Sequence, residues 1–206
     1  MPDKMPKFIV LEGIDGTGKS TAIANIKKKL GQENFKYTRM PGGCEFSERQ
    51  RGVFINDNIT TLAQTAIACG MNAETHLTTI DQWMKEGNTV ISDRSFGSTY
   101  AYQGHQSDGV EVIVSVLRRL PDHLLPSLTL YFTVDPEIAR VRETAPGRDA
   151  DRYLQMPEHD REIIRMAYES LYVNKPISRK GDQVVPFAVL QSQLAKCVKV
   201  IDANQS

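Results

Sequence analysis

The chain has 206 residues, enough for one substantial hydrophobic core and short for two, so a single domain over residues 1–206 is expected. Lysine plus arginine equals aspartate plus glutamate at 25 each, so the formal charge is zero, which excludes a whole-surface attraction to nucleic acid polymers or to membranes. Cys44, Cys69 and Cys197 stand far apart without a C-x-x-C pair, and the four histidines lack zinc-ligand spacing, so neither a disulfide framework nor a metal cage of protein side chains is expected.

In chain order, the opening "MPDKMPKFIVLEGI" is unlike a signal peptide, and no apolar run reaches membrane-spanning length; a soluble cytoplasmic protein is expected. "KFIVLE" reads as the first strand and "KSTAIANIKKKL" as its helix, stopping near Gly31. "FKYTR" is a second strand, closed by "MPGG", where Met40-Pro41 raises the question of a cis bond. A helix around "FSERQRGVFI" and a long one from Thr60 to Lys85 precede "NTVISD", the third strand. "VEVIVSVLRRL" carries Val112, Val116 and Leu120 at helical spacing. "SLTLYFTVD" is the fourth strand, Asp135-Pro136 starts the next helix, "REIIRMAYESLY" is amphipathic, and "VKVID" is the last strand. This alternation argues for an α/β fold: a parallel five-stranded sheet flanked by helices in three layers. "RVRETAPGRDADR" is too charged, and too broken by Pro146-Gly147, to belong to the core, so it is expected to be exposed and mobile.

Gly13, Gly16, Thr17, Gly18, Lys19, Ser20 and Thr21 fall in "GIDGTGKST", which fits G-x-x-x-x-G-K-S/T after a strand and at the start of a helix, the context a P-loop requires. Its glycines let backbone N–H groups turn around phosphate oxygens, Lys19 reaches the outer phosphates, and Ser20 can ligate Mg²⁺. A P-loop names a nucleotide and not a reaction, so a GTPase switch, an ATPase and a kinase all compete. The Asn-Lys pair at Asn174 lacks the aspartate of a guanine-reading N-K-x-D. After the strand ending in Asp93, a motor ATPase commonly has a glutamate that activates water; here the next residue is Arg94, suited to gripping a phosphate with a bidentate fork. That favours an acceptor that itself carries a phosphate.

With "LEGIDGTGKST", "RMPGG", "SDRSFGSTYAYQG", "VDPEIARVR" and "DRY" in order, the chain resembles the thymidylate kinases over nearly its whole length. The resemblance implies a P-loop NTPase fold with a lid at about residues 142–155, and transfer of the ATP γ-phosphoryl group to a deoxynucleoside monophosphate, foremost dTMP. Lys19 and Mg²⁺, the latter on Ser20 and Asp93, would neutralise the donor, while Arg94 bridges toward the acceptor. It further implies that Asp15 contacts the sugar of the monophosphate, unless that carboxylate only caps a helix. Tyr102 would sit beneath the sugar, Arg39 and Arg51 near its phosphate, and Thr99 and Gln103 beside its base. Family members carry a catalytic arginine in the P-loop or in the lid; Gly16 holds the P-loop place here, which leaves Arg142, Arg148 or Arg152. A homodimer joined through the long helix is implied as well.

Two departures stand out. The family's base-stacking aromatic residue and base-reading arginine fall on Ala68 and Asn72, so the pocket is expected either to be compensated, with Met71 or Phe46 as the apolar wall, or to accept another deoxynucleotide, possibly a purine. The family's final helix is missing after "VKVIDANQS", and "GDQVVPFAVLQSQLAK" before that strand is a candidate replacement. A P-loop ATPase that uses no acceptor remains the reading from a different class.

Overall fold

The structure is a computed structural model and describes residues 7–31, 33–104, 109–143, 156–173 and 184–204. Five strands, β1 (Phe8–Glu12), β2 (Phe35–Arg39), β3 (Thr89–Asp93), β4 (Leu128–Thr133) and β5 (Val198–Asp202), form one all-parallel sheet in the order β2-β3-β1-β4-β5. β1 lies at the centre, and its apolar residues alternate between two cores. Ile9 and Leu11 meet Ala22, Ile23 and Ile26 of helix α1 (Lys19–Leu30) on one face, while Phe8 and Val10 pack with Ile80 and Met84 on the other. With both faces covered, the sheet is the middle of three layers.

Helix α2 (Glu45–Asn56) follows β2 and is capped by the Cys44 sulfur. The expected long helix runs without a break but changes pitch: α3 (Thr61–Glu74) passes into a π-helical segment (Thr75–Ile80) and then α4 (Asp81–Lys85). α5 (Phe96–Thr99) likewise leads into π-helical turns (Tyr100–Gly104), which lack any apolar periodicity to announce them. α6 (Gly109–Leu117), α8 (Glu158–Tyr172) and α9 (Val184–Leu194) build the larger core with α3. In α8, Ile164, Ala167, Tyr168 and Leu171 recur at the three- and four-residue steps of a buried helical stripe. α9 lies within the segment anticipated as a replacement helix, and Leu190 and Leu194 pack into that core. α7 (Pro136–Glu143) begins at the expected Asp-Pro step. Among the described residues, no helix is long and apolar enough to cross a membrane.

Strand register decides which side chains share a face at the carboxyl end of the sheet. Leu11 aligns with Asp93 and Asp93 with Arg39, so these side chains lie on the α1 face. Glu12 aligns with Tyr131 and faces α5 and α8 instead. The site is divided between these two sides.

Candidate active site

The loop after β1 owes its shape to backbone constraints. Gly13, at φ 139°, lies so close to β4 that a Cβ would stand 2.4 Å from the Phe132 carbonyl oxygen; Gly16, at φ 74°, approaches Ala139 of α7 equally closely. No side chain caps α1, whose N-cap is Gly18 at φ 87°, so its first amides are left for a ligand. Lys19 Nζ is buried at the mouth of the loop, donating to the Ile14 carbonyl at 2.7 Å and to Thr17 Oγ1 at 3.3 Å. Burial, followed by the Arg94 guanidinium, lowers its ammonium to about 8 against the pull of Asp15, Asp93 and Glu12.

Arg94 is the hub. It has φ 71°, a conformation costly for a residue with a side chain, and its amide donates to the Leu11 carbonyl at 2.9 Å. Nη2 donates to Asp15 Oδ1 at 2.7 Å and to the Tyr102 hydroxyl at 3.3 Å; that hydroxyl in turn donates to Asp15 Oδ2 at 3.0 Å. Nη1 donates to the Gly13 carbonyl at 2.9 Å, to Ser98 Oγ at 3.1 Å and to the Tyr168 hydroxyl at 2.8 Å. Burial opposes the charge on Asp15, but Arg94 and Lys19 overcome it and hold the carboxyl well below the usual carboxylate range.

A cavity of about 310 Å³ opens from this hub and is lined by Asp15, Ser20, Arg39, Arg51, Asp93 and Arg94 at one end. Ala68, Asn72, Thr99, Tyr102 and Gln103 line it too, so residues singled out from five separate stretches of sequence meet in one place. Arg39 is held by Glu48 through Nη2 at 2.9 Å and Nε at 3.3 Å. Arg51 donates to the Pro41 carbonyl, and the Met40-Pro41 bond is cis.

Phe46 is the residue that the structure places elsewhere. It is 41% exposed on α2 and does not line the cavity, because that helix turns Phe54, 5% exposed, toward it instead. Phe54 packs with Ala68 and Met71, so Met71 is part of the apolar wall as anticipated and Phe54 supplies the rest. Asn72 Nδ2 donates to the Ala68 carbonyl at 2.9 Å and to Thr99 Oγ1 at 3.1 Å, and its Oδ1 is buried without a hydrogen-bond partner among the described residues. Of the three arginines expected to serve a lid, Arg142 donates through both terminal nitrogens to the Ala203 carbonyl, at 3.2 Å each. Arg148 and Arg152, with most of the lid itself, lie outside the described residues.

Several participants escaped the sequence reading. Glu12, Ser98 and Tyr168 form a buried cluster behind Arg94; the signal available was a lone carboxylate ending an otherwise apolar strand. His76 is buried between Phe8 and Phe96, with Nδ1 2.6 Å from the Asn72 carbonyl and Nε2 3.3 Å from Ser95 Oγ; burial lowers its imidazole to about 4, so it is neutral.

Known proteins resemble this chain in sequence and in fold. A family profile described as thymidylate kinase matches residues 11–178. The chain is 33% identical over 204 residues to the thymidylate kinase of Clostridium novyi, an alignment covering 96% of this chain and 91% of the relative. It is also 33% identical over 175 residues to that of Mesoplasma florum, covering 82% and 83%. Its fold is similar to the crystal structure of thymidylate kinase from Ehrlichia chaffeensis, with a TM-score of 0.64 and 22% identity over 95% of this chain and 92% of that one.

Proposed function

Since the chain belongs to the thymidylate kinase family, we propose that it transfers the γ-phosphoryl group of ATP to dTMP, giving dTDP and ADP. One observation carries this: the P-loop opens, through the Asp15–Arg94 pair, onto a cavity with arginines at one end and an apolar, amide-bearing wall at the other. An ATPase needs no such second chamber. The acceptor phosphate is already anionic at neutral pH, so catalysis rests on positioning and charge neutralisation and requires no general base. The loop amides and Lys19 hold the donor phosphates, Arg94 grips the transferring and accepting groups, and Arg39 and Arg51 orient the acceptor phosphate. Tyr102 and Asp15 hold the sugar, and Thr99, Gln103 and Asn72 meet the base.

Ser20 and Asp93 would hold Mg²⁺. Asp93 Oδ1 is buried without a hydrogen-bond partner among the described residues, and a hard oxygen donor beside a P-loop serine suits a cation that takes most of its ligands from phosphates and water. When bound, Mg²⁺ supplies charge neutralisation at the β- and γ-phosphates. Arg148 and Arg152 are the arginines assigned to lid closure, which excludes water and keeps the kinase from acting as an ATPase. The reading also includes a cytoplasmic homodimer formed through α3 and the segment following it, where Leu62 and Leu77 are about half exposed.

The decisive experiment measures ADP formation with MgATP in the presence and absence of dTMP and identifies the second product. Turnover that does not depend on a monophosphate would instead identify an ATPase. A second reading, of relaxed or shifted base choice, is favoured by the unpartnered Asn72 Oδ1 beside the small Ala68, which together offer an acceptor and room for a different base. A panel of deoxynucleoside monophosphates separates the two, since exclusive use of dTMP would sink the second.

A further inference from the structure

Glu12 ends β1 with its side chain fully buried, and four donors converge on its two oxygens. Oε1 accepts from the Ser95 amide at 2.9 Å and the Ser98 amide at 3.2 Å; Oε2 accepts from Ser98 Oγ at 2.5 Å and from the Tyr168 hydroxyl at 3.4 Å. Those two hydroxyl oxygens, 2.6 Å apart, are the same ones that accept from Arg94 Nη1. Each hydroxyl has a single proton. If Ser98 gives its proton to Glu12, and Tyr168 gives its own to Ser98 or Glu12, the lone pairs of both are left for the guanidinium. Gly97 keeps the space clear, since a Cβ there would stand 1.9 Å from the Tyr172 hydroxyl and 2.9 Å from Glu12 Oε1.

We propose that Glu12 is a positioning residue for Arg94: it draws the hydroxyl protons of Ser98 and Tyr168 to itself, turns their lone pairs onto Nη1, and thereby fixes the guanidinium for the acceptor phosphate. The inference rests on the acceptor-binding role proposed above for Arg94. Asp15 holds the opposite edge of the same guanidinium but lies on the cleft, where it also serves the substrate; Glu12 touches no substrate and acts from behind. An amide cannot replace it. If the NH₂ of Glu12→Gln takes the Oε1 position it meets the Ser95 and Ser98 amides, donor against donor; if it takes the Oε2 position it donates to the Ser98 hydroxyl, and the hydroxyl chain must reverse toward Arg94.

The test is a set of calorimetric dissociation constants and steady-state constants for dTMP and MgATP in the full chain. It uses the wild type, Glu12→Gln and Tyr168→Phe, each also in an Arg94→Met background. Glu12→Gln is expected to weaken dTMP binding and raise its KM about tenfold or more, with MgATP affinity held within about twofold; Tyr168→Phe is expected to do the same to a smaller degree. In the Arg94→Met background neither substitution should add a further loss. The proposal is overturned if dTMP affinity is unchanged in both variants, if the loss persists undiminished without Arg94, or if MgATP affinity falls equally, as general structural damage would produce. Should Glu12→Gln fail to fold, Tyr168→Phe decides by the same criteria. A wild type that binds no monophosphate overturns the role of Arg94 and this proposal with it.

Discussion

The two ends of the cleft are built on different principles. At the phosphate end, the central arginine is held on both edges: Arg94 Nη1 has three acceptors, Nη2 has two, and glycines at 13 and 16 press the loop against β4 and α7. At the base end, Ala68 is small, and Asn72 spends its two N–H groups on its surroundings while its oxygen has no partner among the described residues. Phosphate chemistry is common to every nucleotide and can be met by a rigid backbone cradle, whereas base choice depends on a few side chains that can be exchanged without rebuilding the cradle.

Substitutions should therefore separate the two ends. Lys19→Ala should lower kcat about a thousandfold or more, because the outer phosphates lose the cation nearest to them, and should do so with every acceptor. If steady-state turnover falls less than tenfold, the phosphate end is not organised as described. Asp15→Asn removes the anion that holds Arg94 Nη2 and the Tyr102 hydroxyl; kcat/KM for dTMP should drop about a hundredfold while MgATP binding, followed by calorimetry, stays close to wild type. Asn72→Ala should change the ratio of kcat/KM between competing monophosphates by about tenfold and leave KM for ATP untouched. A ratio that does not move would show that Asn72 does not read the base.

The last effect is one of stability. His76 has its imidazole lowered to about 4 in the folded chain, below the unfolded value of 6.5, so the unfolded state binds more protons between those values. Its contribution to stability is complete above pH 6.5 and declines as pH falls toward 4, by at most about 1.4 kcal/mol per pH unit. The His76→Gln variant, which does not titrate there, should lose less stability than wild type over that window in thermal melts. An identical pH profile for both would refute the buried neutral imidazole.

Much of the phosphate end was legible in the sequence because its signals are local. An apolar run, glycines at fixed intervals, and an aspartate–arginine pair closing another apolar run each state their geometry within a dozen residues. The base end and the support behind Arg94 are assembled from distant pieces. Phe46 and Phe54 lie on the same helix and are equally apolar; only the packing of α2 against α3 decides that Phe54 is buried, and no local pattern supplies that phase. The pitch changes at Thr75 and Tyr100 were invisible for the same reason, since ordinary residues adopt π-helical turns when tertiary contacts require it. Glu12 was visible as a residue but not as a device, because its partners Ser98 and Tyr168 are 86 and 156 positions away.

The contact between Gly16 and α7 bears on how such a chain can change by descent. Within the P-loop, position 16 is a glycine whose missing Cβ would stand 2.4 Å from the Ala139 carbonyl oxygen. No single exchange at position 16 can bring a cation into the loop without first pushing α7 outward. Position 16 is thus closed to a cationic side chain by main-chain geometry, and stays closed until helix and loop shift together.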